Sequence, residues 1–390
     1  MGLNDTQLAE RIQIGFFGLR NAGKSSLVNK ITNQEMSLVS NVKGTTTDPV
    51  KKSMELLPLG PVTIIDTPGF DDEGELGSMR VKRTKQTLSI CDIAVFVTEN
   101  DILTESENQL LSLIKARDIP YIIVRNKSDL AGKEQDENVI YTSAKDNLNI
   151  ERVKEALAVL APKKKEIHFV SDLISPGNQV ILVIPIDSAA PKGRIILPQQ
   201  QAIRDILDAG AISIITGVEN LAKTIESMKK APDLVITDSQ AFDAVMKIVP
   251  ENIPLTSFSI LMARYKGFLD TALEGAERIK SLTDNSKVLI CEGCTHHRQC
   301  DDIGTVKLPA LIKKYRSAAP DFEFTSGHSF PEDLREYDLV IHCGACMLND
   351  NEVRNRMNAA IEQGVAFTNY GIAIAKMNGI VERSIRPLGK

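Results

Sequence analysis

No apolar run in the 390-residue chain approaches the roughly twenty residues needed to cross a bilayer. No membrane partner is therefore expected. An excess of positive charge is also missing. The net charge is −5, which argues against a broad nucleic-acid-binding surface. The first residues, Met-Gly-Leu-Asn-Asp-Thr-Gln, lack the basic and apolar segments of a secretory leader, and Gly2 with Thr6 matches a myristoylation pattern only weakly. Cysteine is scarce, and five of the six (Cys291, Cys294, Cys300, Cys343, Cys346) fall in two short stretches. Clustered thiols without a leader point to metal or redox use in a reducing cytoplasm rather than to disulfides.

The rest of the composition is that of an ordinary globular protein, with 43% hydrophobic and 25% charged residues. The length suits two or three domains, each able to bury a core. The pattern of elements predicts an α/β protein whose sheets are mainly parallel.

Residues 1–163 carry the most specific motifs. Ile12 to Gly18 reads as a buried strand running into Gly18-Leu-Arg-Asn-Ala-Gly23-Lys24-Ser25, followed by a helix from Ser26. This is the strand–loop–helix context of a P-loop, in which backbone N–H groups of Gly18, Asn21, Ala22, Gly23, Lys24, Ser25 and Ser26 wrap phosphate. Lys24 is expected on the β- and γ-phosphates and Ser25 on magnesium. Val62 to Asp66 ends in Asp-Thr-Pro-Gly69, placing Asp66 near the metal and the Gly69 amide near the γ-phosphate. Asn126-Lys127-Ser-Asp129 follows a further strand. Asp129 can accept both N1–H and the 2-amino group of guanine, which adenine does not offer. Ser143-Ala144-Lys145 supplies a last loop to the base. Together these motifs resemble those of translation-factor-like GTPases, and GTP with Mg2+ is the expected ligand.

Two positions bear on hydrolysis. Thr46, with Thr45 as the fallback, is the expected magnesium-sensing threonine within Gly44-Thr45-Thr46-Thr47-Asp48. Phe70 stands where Ras-like enzymes place a water-orienting glutamine, so transition-state help must come from elsewhere. Asn21 resembles the asparagine through which some such GTPases bind K+, and the other reading is a tolerated loop residue. The segment from Phe70 to Gln86, acidic and glycine-rich and then basic, reads as a mobile switch loop, and the other reading is an ordinary solvated loop.

A helix from Ile150 to Leu160 closes this domain, and Ala161-Pro-Lys-Lys-Lys-Glu166 reads as a linker. Residues 170–257 read as a small α/β unit: strands at Val180–Asp187 and Arg194–Pro198, a helix from Gln199 to Leu207, and strands at Ala211–Ile215 and Asp233–Thr237. It shows no catalytic motif, and its apolar strands favour self-association at a sheet edge. Asp187 ends a strand, and reads as a turn former or as a group facing a metal.

Residues 258–390 continue as α/β. A helix at Gly267–Lys280, strands at Lys287–Ile290 and Phe322–Phe324, helices at Leu308–Ser317 and Glu352–Glu362, and a strand into His342 are expected. Both cysteine loops fall at strand ends, where open sheets carry their sites. Cys291, Cys294, Cys343 and Cys346 fit a four-thiolate zinc site. Three cysteines with a weaker ligand fit a 4Fe–4S cluster instead.

Cys294-Thr-His296 and His342-Cys343-x-x-Cys346 resemble the C-x-H…H-C-x-x-C signature of the FeFe-hydrogenase maturation GTPases, the HydF family, whose three-part order spans the whole chain. The resemblance implies a dimerisation domain at 170–257 and a cluster domain at 258–390. It implies a 4Fe–4S cluster on Cys294, Cys343 and Cys346, with an exchangeable fourth ligand such as a histidine; in this sequence His296, His342, Asp187, water or another group stay open for that place. It also implies a homodimeric scaffold that carries a di-iron precursor, built by radical-SAM maturation enzymes, to immature FeFe-hydrogenase. The chain has no Cys-x₃-Cys-x₂-Cys of its own, so it is not itself a radical-SAM enzyme. Cys291, Cys300 and His297 lie outside the signature. The rival readings are a zinc-containing ribosome- or tRNA-associated GTPase and a GTP-regulated iron–sulfur electron carrier.

Overall fold

The computed structural model describes residues 10–33, 49–70, 74–128, 138–162, 168–186, 195–293, 302–327 and 329–389. Thr45, Thr46, Asp129, Asp187, Cys294, His296, His297 and Cys300 lie outside them. The chain forms two compact units, Met1–Lys164 and Lys165–Lys390.

The first unit runs β1 (Ile12–Phe17), α1 (Lys24–Thr32), β2 (Val50–Leu56), β3 (Gly60–Asp66), α2 (Gly74–Leu88), β4 (Ile93–Thr98), α3 (Glu105–Lys115), β5 (Tyr121–Arg125), β6 (Val139–Tyr141) and α4 (Ile150–Leu160). Its sheet has the order β2-β3-β1-β4-β5-β6, parallel except for β2 against β3. Side chains alternate across a strand, so each central strand feeds two cores. Ile14 and Phe16 of β1, Val62 and Ile64 of β3, and Val95 of β4 pack with α1 and α4. Phe17, Ile65 and Phe96 pack on the opposite face with Leu110 and Ile114 of α3. Covering both faces is what lets a parallel sheet be apolar throughout. Helix α3 starts at a capping box, in which Thr104 Oγ1 accepts from the Glu107 amide and Glu107 Oε2 accepts from the Thr104 amide.

Helix α2 corrects the expected loop from Phe70 to Gln86. The acidic, glycine-rich beginning has little to bury, but Arg80, Thr84, Thr87 and Leu88 recur at helical spacing and are all buried.

The second unit holds two four-stranded parallel sheets. The first comprises β7 (Gln179–Val183), α5 (Leu197–Asp208), β8 (Ile212–Thr216), α6 (Leu221–Ser227), β9 (Leu234–Thr237), α7 (Phe242–Ile248) and β10 (Leu255–Ser257), with strand order β10-β9-β7-β8. Of the strand expected at Arg194–Pro198, Arg194 lies outside the described residues, Ile195 and Ile196 form no strand, and Leu197 and Pro198 begin α5. Pro198 sits in its first turn, where the missing N–H costs nothing.

The second sheet follows α8 (Phe258–Tyr265) and α9 (Leu269–Ala276). It comprises β11 (Lys287–Glu292), α10 (Leu308–Arg316), β12 (Asp321–Ser326), β13 (Leu339–His342), α11 (Asp350–Glu362), β14 (Ala366–Asn369), α12 (Tyr370–Met377) and α13 (Val381–Ile385), with order β12-β11-β13-β14. Helix α8 is shared by two cores. Phe258, Leu261 and Met262 enter the core under β7, whereas Ile260 and Ala263 enter the core around β11 and β13. No described helix is long and apolar enough to cross a membrane.

Candidate nucleotide and cysteine sites

The P-loop leaves β1 between β3 and β4, at the C-terminal edge of the first sheet. Gly23 has φ 84°, and a Cβ there would stand 2.1 Å from Asn126 Nδ2, so backbone conformation and space both require glycine. Ser25 Oγ donates to Asp66 Oδ2 at 2.6 Å, joining the two motifs assigned to magnesium. Asp66 Oδ1 is buried and has no hydrogen-bond partner. A buried carboxylate oxygen without a partner is costly, and a hydroxyl with a carboxylate is the hard oxygen donor set that Mg2+ takes beside phosphate. The residues present fit the metal. Lys24 Nζ bonds the carbonyls of Gly18 (3.0 Å) and Leu19 (2.8 Å), which holds a buried ammonium against the loop.

Asn126 ties the site together. Its Nδ2 donates to the Ala22 carbonyl at 3.2 Å, and its Oδ1 accepts from the Ala144 amide at 3.2 Å. One side chain therefore fixes the phosphate loop against the last base loop. Ser143 is buried and donates to Asp146 Oδ2 at 2.9 Å, while Lys145 is exposed. Lys127 has φ 60° and pairs with Glu99. Asn21 is exposed with φ 64°. A Cβ on Gly69 would stand 2.7 Å from Arg20 Cα, so the Asp-Thr-Pro-Gly turn packs directly on the P-loop. Phe70 is buried in the core, and its amide donates to the Gly18 carbonyl at 3.0 Å. Its ring has no access to a water molecule.

The second site lies at the C-terminal ends of β11 and β13, which are neighbours in register, with Cys291 opposite His342. The Cys343 amide donates to the Cys291 carbonyl at 2.8 Å. Two residues further on, the Gly293 amide donates to Cys343 Sγ at 3.0 Å, and the Ala345 amide approaches the same sulfur at 3.4 Å. Ala345 has φ 56°, which turns the chain between the two cysteines. Cys343 and Cys346 are both half-buried, and loss of solvation raises Cys343 and pushes Cys346 up to about 12. A sulfur facing two amides in a partly open turn suits a metal-bound thiolate, whose cluster is tuned by such bonds. The fit to an iron–sulfur cluster is therefore good for Cys343, with Cys346 as a second half-buried thiol across the same turn. Among the described residues no three cysteine, histidine or acidic side chains group closely enough to hold a metal, and the first cysteine of the signature lies outside them.

Two sequence expectations change. His342 is buried and both of its ring nitrogens are engaged, Nδ1 with the Cys343 carbonyl at 3.0 Å and Nε2 with Arg356 Nη1 at 3.1 Å. An arginine only donates, so Nε2 accepts and Nδ1–H donates. Burial, followed by the Arg356 charge, lowers His342 to about 4 and keeps the ring neutral. No lone pair is left for iron in this arrangement, so the ring as placed sits behind the turn rather than facing a metal. Cys291 is fully buried in the core, where desolvation pushes its thiol up to about 12. It is a packing residue, so a four-thiolate zinc site loses one of its members.

Sequence reasoning missed Arg356 and Glu352. Arg356 Nη2 donates to Glu352 Oε1 at 2.6 Å and to the Gly327 carbonyl at 2.7 Å. The spacing of four between them was the available signal.

Comparison with known proteins gives three family matches. Residues 13–127 match the model described as 50S ribosome-binding GTPase, residues 169–267 the Hydrogen maturase F dimerization domain, and residues 270–387 the Hydrogen maturase F tetramerization domain. The tRNA modification GTPase MnmE of Streptococcus agalactiae is 31% identical over 156 residues, 38% of this chain and 33% of that protein. GTPase Der of Sulfurimonas denitrificans is 32% identical over 136 residues, 34% of this chain and 27% of that protein. The chain thus spans about a third of the length of these relatives. Among solved structures, Era of Aquifex aeolicus bound to GDP and aluminium fluoride aligns with a TM-score of 0.36 at 18% identity, over 53% of this chain and 92% of that one. The two maturase models together take in more than half of the chain behind a GTPase domain, and the chain belongs to the HydF family of hydrogenase maturation GTPases.

Proposed function

We propose that this chain hydrolyses GTP and serves as a scaffold that holds a 4Fe–4S cluster on Cys294, Cys343 and Cys346. It would carry a di-iron precursor from radical-SAM maturation enzymes to immature FeFe-hydrogenase. The observation that carries the cluster reading is the Gly293 amide on Cys343 Sγ at 3.0 Å. It brings the chain to the later cysteine pair immediately before Cys294 in sequence. The cluster, once bound, supplies an iron with an exchangeable ligand. His296, Asp187 and water remain as fourth ligands, and His342 acts from behind by holding the Cys343 carbonyl.

In the nucleotide site, Lys24 takes the phosphates, Ser25 and Asp66 take magnesium together with Thr46, and the Gly69 amide reads the γ-phosphate. Asp129 selects guanine beside Asn126, Lys127, Ser143, Ala144 and Lys145. With Phe70 buried, K+ held by Asn21 supplies positive charge in the transition state. Nucleotide state then biases contacts with a partner during cofactor handover.

Oligomerisation follows from the two maturase domains. The expected homodimer forms through residues 169–267, and the description of residues 270–387 extends it to a tetramer. Strand β8 is an edge strand with Ile212 and Ile215 exposed, whereas the opposite edge strand β10 is packed against α13. The open edge at β8 is the surface for the dimer.

Anaerobic reconstitution with iron and sulfide, followed by metal analysis and EPR, tests this reading. Iron and sulfide in equal amounts, with an EPR signal that changes on adding imidazole, is the expected result. Zinc without visible absorption would replace it with a zinc-stabilised GTPase, and a cluster indifferent to imidazole would indicate an electron carrier.

A further inference from the structure

A buried cation stands behind the cysteine turn. Lys266 caps the C-terminus of α8, and its side chain is only 3% exposed. Its Nζ donates to the Leu348 carbonyl at 2.8 Å and pairs with Asp350 Oδ1 at 3.1 Å. Both partners follow Cys346 closely: Leu348 lies in the loop after it, and Asp350 is the first residue of α11. Cys346 itself packs against the core under β7, to which Leu261 and Met262 of α8 belong.

Lysine is almost never buried without a reason. Desolvating an ammonium costs several kcal/mol, which one ion pair offsets only in good geometry. Here the paired carboxylate is itself 28% exposed, and among the described residues only two of the three N–H donors have acceptors. An anion close to Cys346 would complete the balance. An oxidised 4Fe–4S core held by three thiolates is such an anion, and reduction makes it more negative still.

We propose that Lys266 is the charge-compensating positioning residue of the cysteine turn. Its ammonium fixes Leu348 and Asp350 behind Cys346 and raises the reduction potential of the cluster, an inference that rests on the cluster reading above. Lys266 lies within the matched dimerization segment, residues 169–267, so that segment supplies part of the environment of the cluster.

A mere anchor and a charge-setting group differ in sign. Lys266→Met removes a positive charge near the cluster, and Asp350→Asn leaves the positive charge uncompensated. EPR-monitored redox titration of the full chain, reconstituted anaerobically, reads the midpoint potential of each. Lys266→Met should move it to more negative values, Asp350→Asn to more positive values, and Lys266→Arg should leave it near wild type. Unchanged potentials, or shifts of one sign in Lys266→Met and Asp350→Asn, overturn the inference while the cluster stands. Wild-type protein that takes up no iron overturns the cluster reading and this inference with it. Asp350→Asn keeps the buried lysine, so the sign test survives if Lys266→Met fails to fold.

Discussion

Ser25 Oγ lies 2.6 Å from Asp66 Oδ2, across 41 positions of sequence, and the second oxygen of that carboxylate is buried without a partner. The pair is organised for a cation that bridges it to phosphate. Ser25→Ala removes one donor to that cation and should lower GTP turnover at saturating nucleotide on the order of 10²-fold. The loss should be partly recovered at high Mg2+. Turnover measured across a Mg2+ titration checks this, and an unchanged Mg2+ dependence would remove Ser25 from the metal site.

Asn126 holds the phosphate loop and the base loop at once, through Ala22 and Ala144. Each bond contributes about 1 kcal/mol net, and truncation strands a buried carbonyl and amide. Asn126→Ala should therefore lower the melting temperature of the nucleotide-free first unit by roughly 4–8 °C and weaken GDP binding at least tenfold. Differential scanning calorimetry and titration with a fluorescent GDP analogue read the two effects. A stability loss without an affinity loss would make Asn126 a packing residue alone.

These sites differ in how much of them the sequence disclosed. The P-loop was legible because its chemistry is local: a strand, seven loop positions and a helix start in one unbroken run. Helix α4 was legible down to its ends, since Ile150, Val153 and Leu157 keep a helical period and are all buried. Helix α2 was not, because the side chains it buries include Arg80, Thr84 and Thr87, which carry no apolar stripe. Ile195 and Ile196 read as strand by their branching, yet Leu197 and Pro198 open a helix. His342 looked like a ligand because it adjoins Cys343. Its true engagement depends on Arg356, a residue brought to it only by the packing of α11 on the sheet.

Asn21 projects from the P-loop at φ 64° and is exposed, while Phe70 is buried. Phe70 cannot orient water, and the proposed K+ at Asn21 would supply charge in the transition state. GTP turnover should be several-fold faster in KCl than in NaCl of equal ionic strength. Asn21→Ala should bring the potassium rate down to the sodium rate. Equal rates in both salts, unaltered by the substitution, would remove K+ from the mechanism.

Ile212 and Ile215 are each 49% exposed on the open edge of the first sheet in the second unit. Exposed apolar edge strands pair with another chain unless something blocks them. Ile215→Lys places a charge on that edge and should shift the protein to a smaller species in light scattering, with little change in melting temperature at low concentration. An unchanged mass would place the dimer contact elsewhere in residues 169–267.

Cys343 and His342 are adjacent in sequence and opposite in role. The sulfur of Cys343 faces the Gly293 and Ala345 amides at the sheet edge, whereas the imidazole of His342 is committed to Arg356 and the Cys343 carbonyl. Cys343→Ala should abolish iron uptake on anaerobic reconstitution, as should Cys346→Ala and Cys294→Ala. His342→Gln keeps a polar group in the same place and should retain the iron, with an altered EPR line shape. It should lose about 1–3 kcal/mol of stability from the disturbed buried network. Full iron loading in Cys343→Ala would count against the three-cysteine site. Complete loss of iron in a folded His342→Gln would show that the ring turns toward the cluster when iron is present.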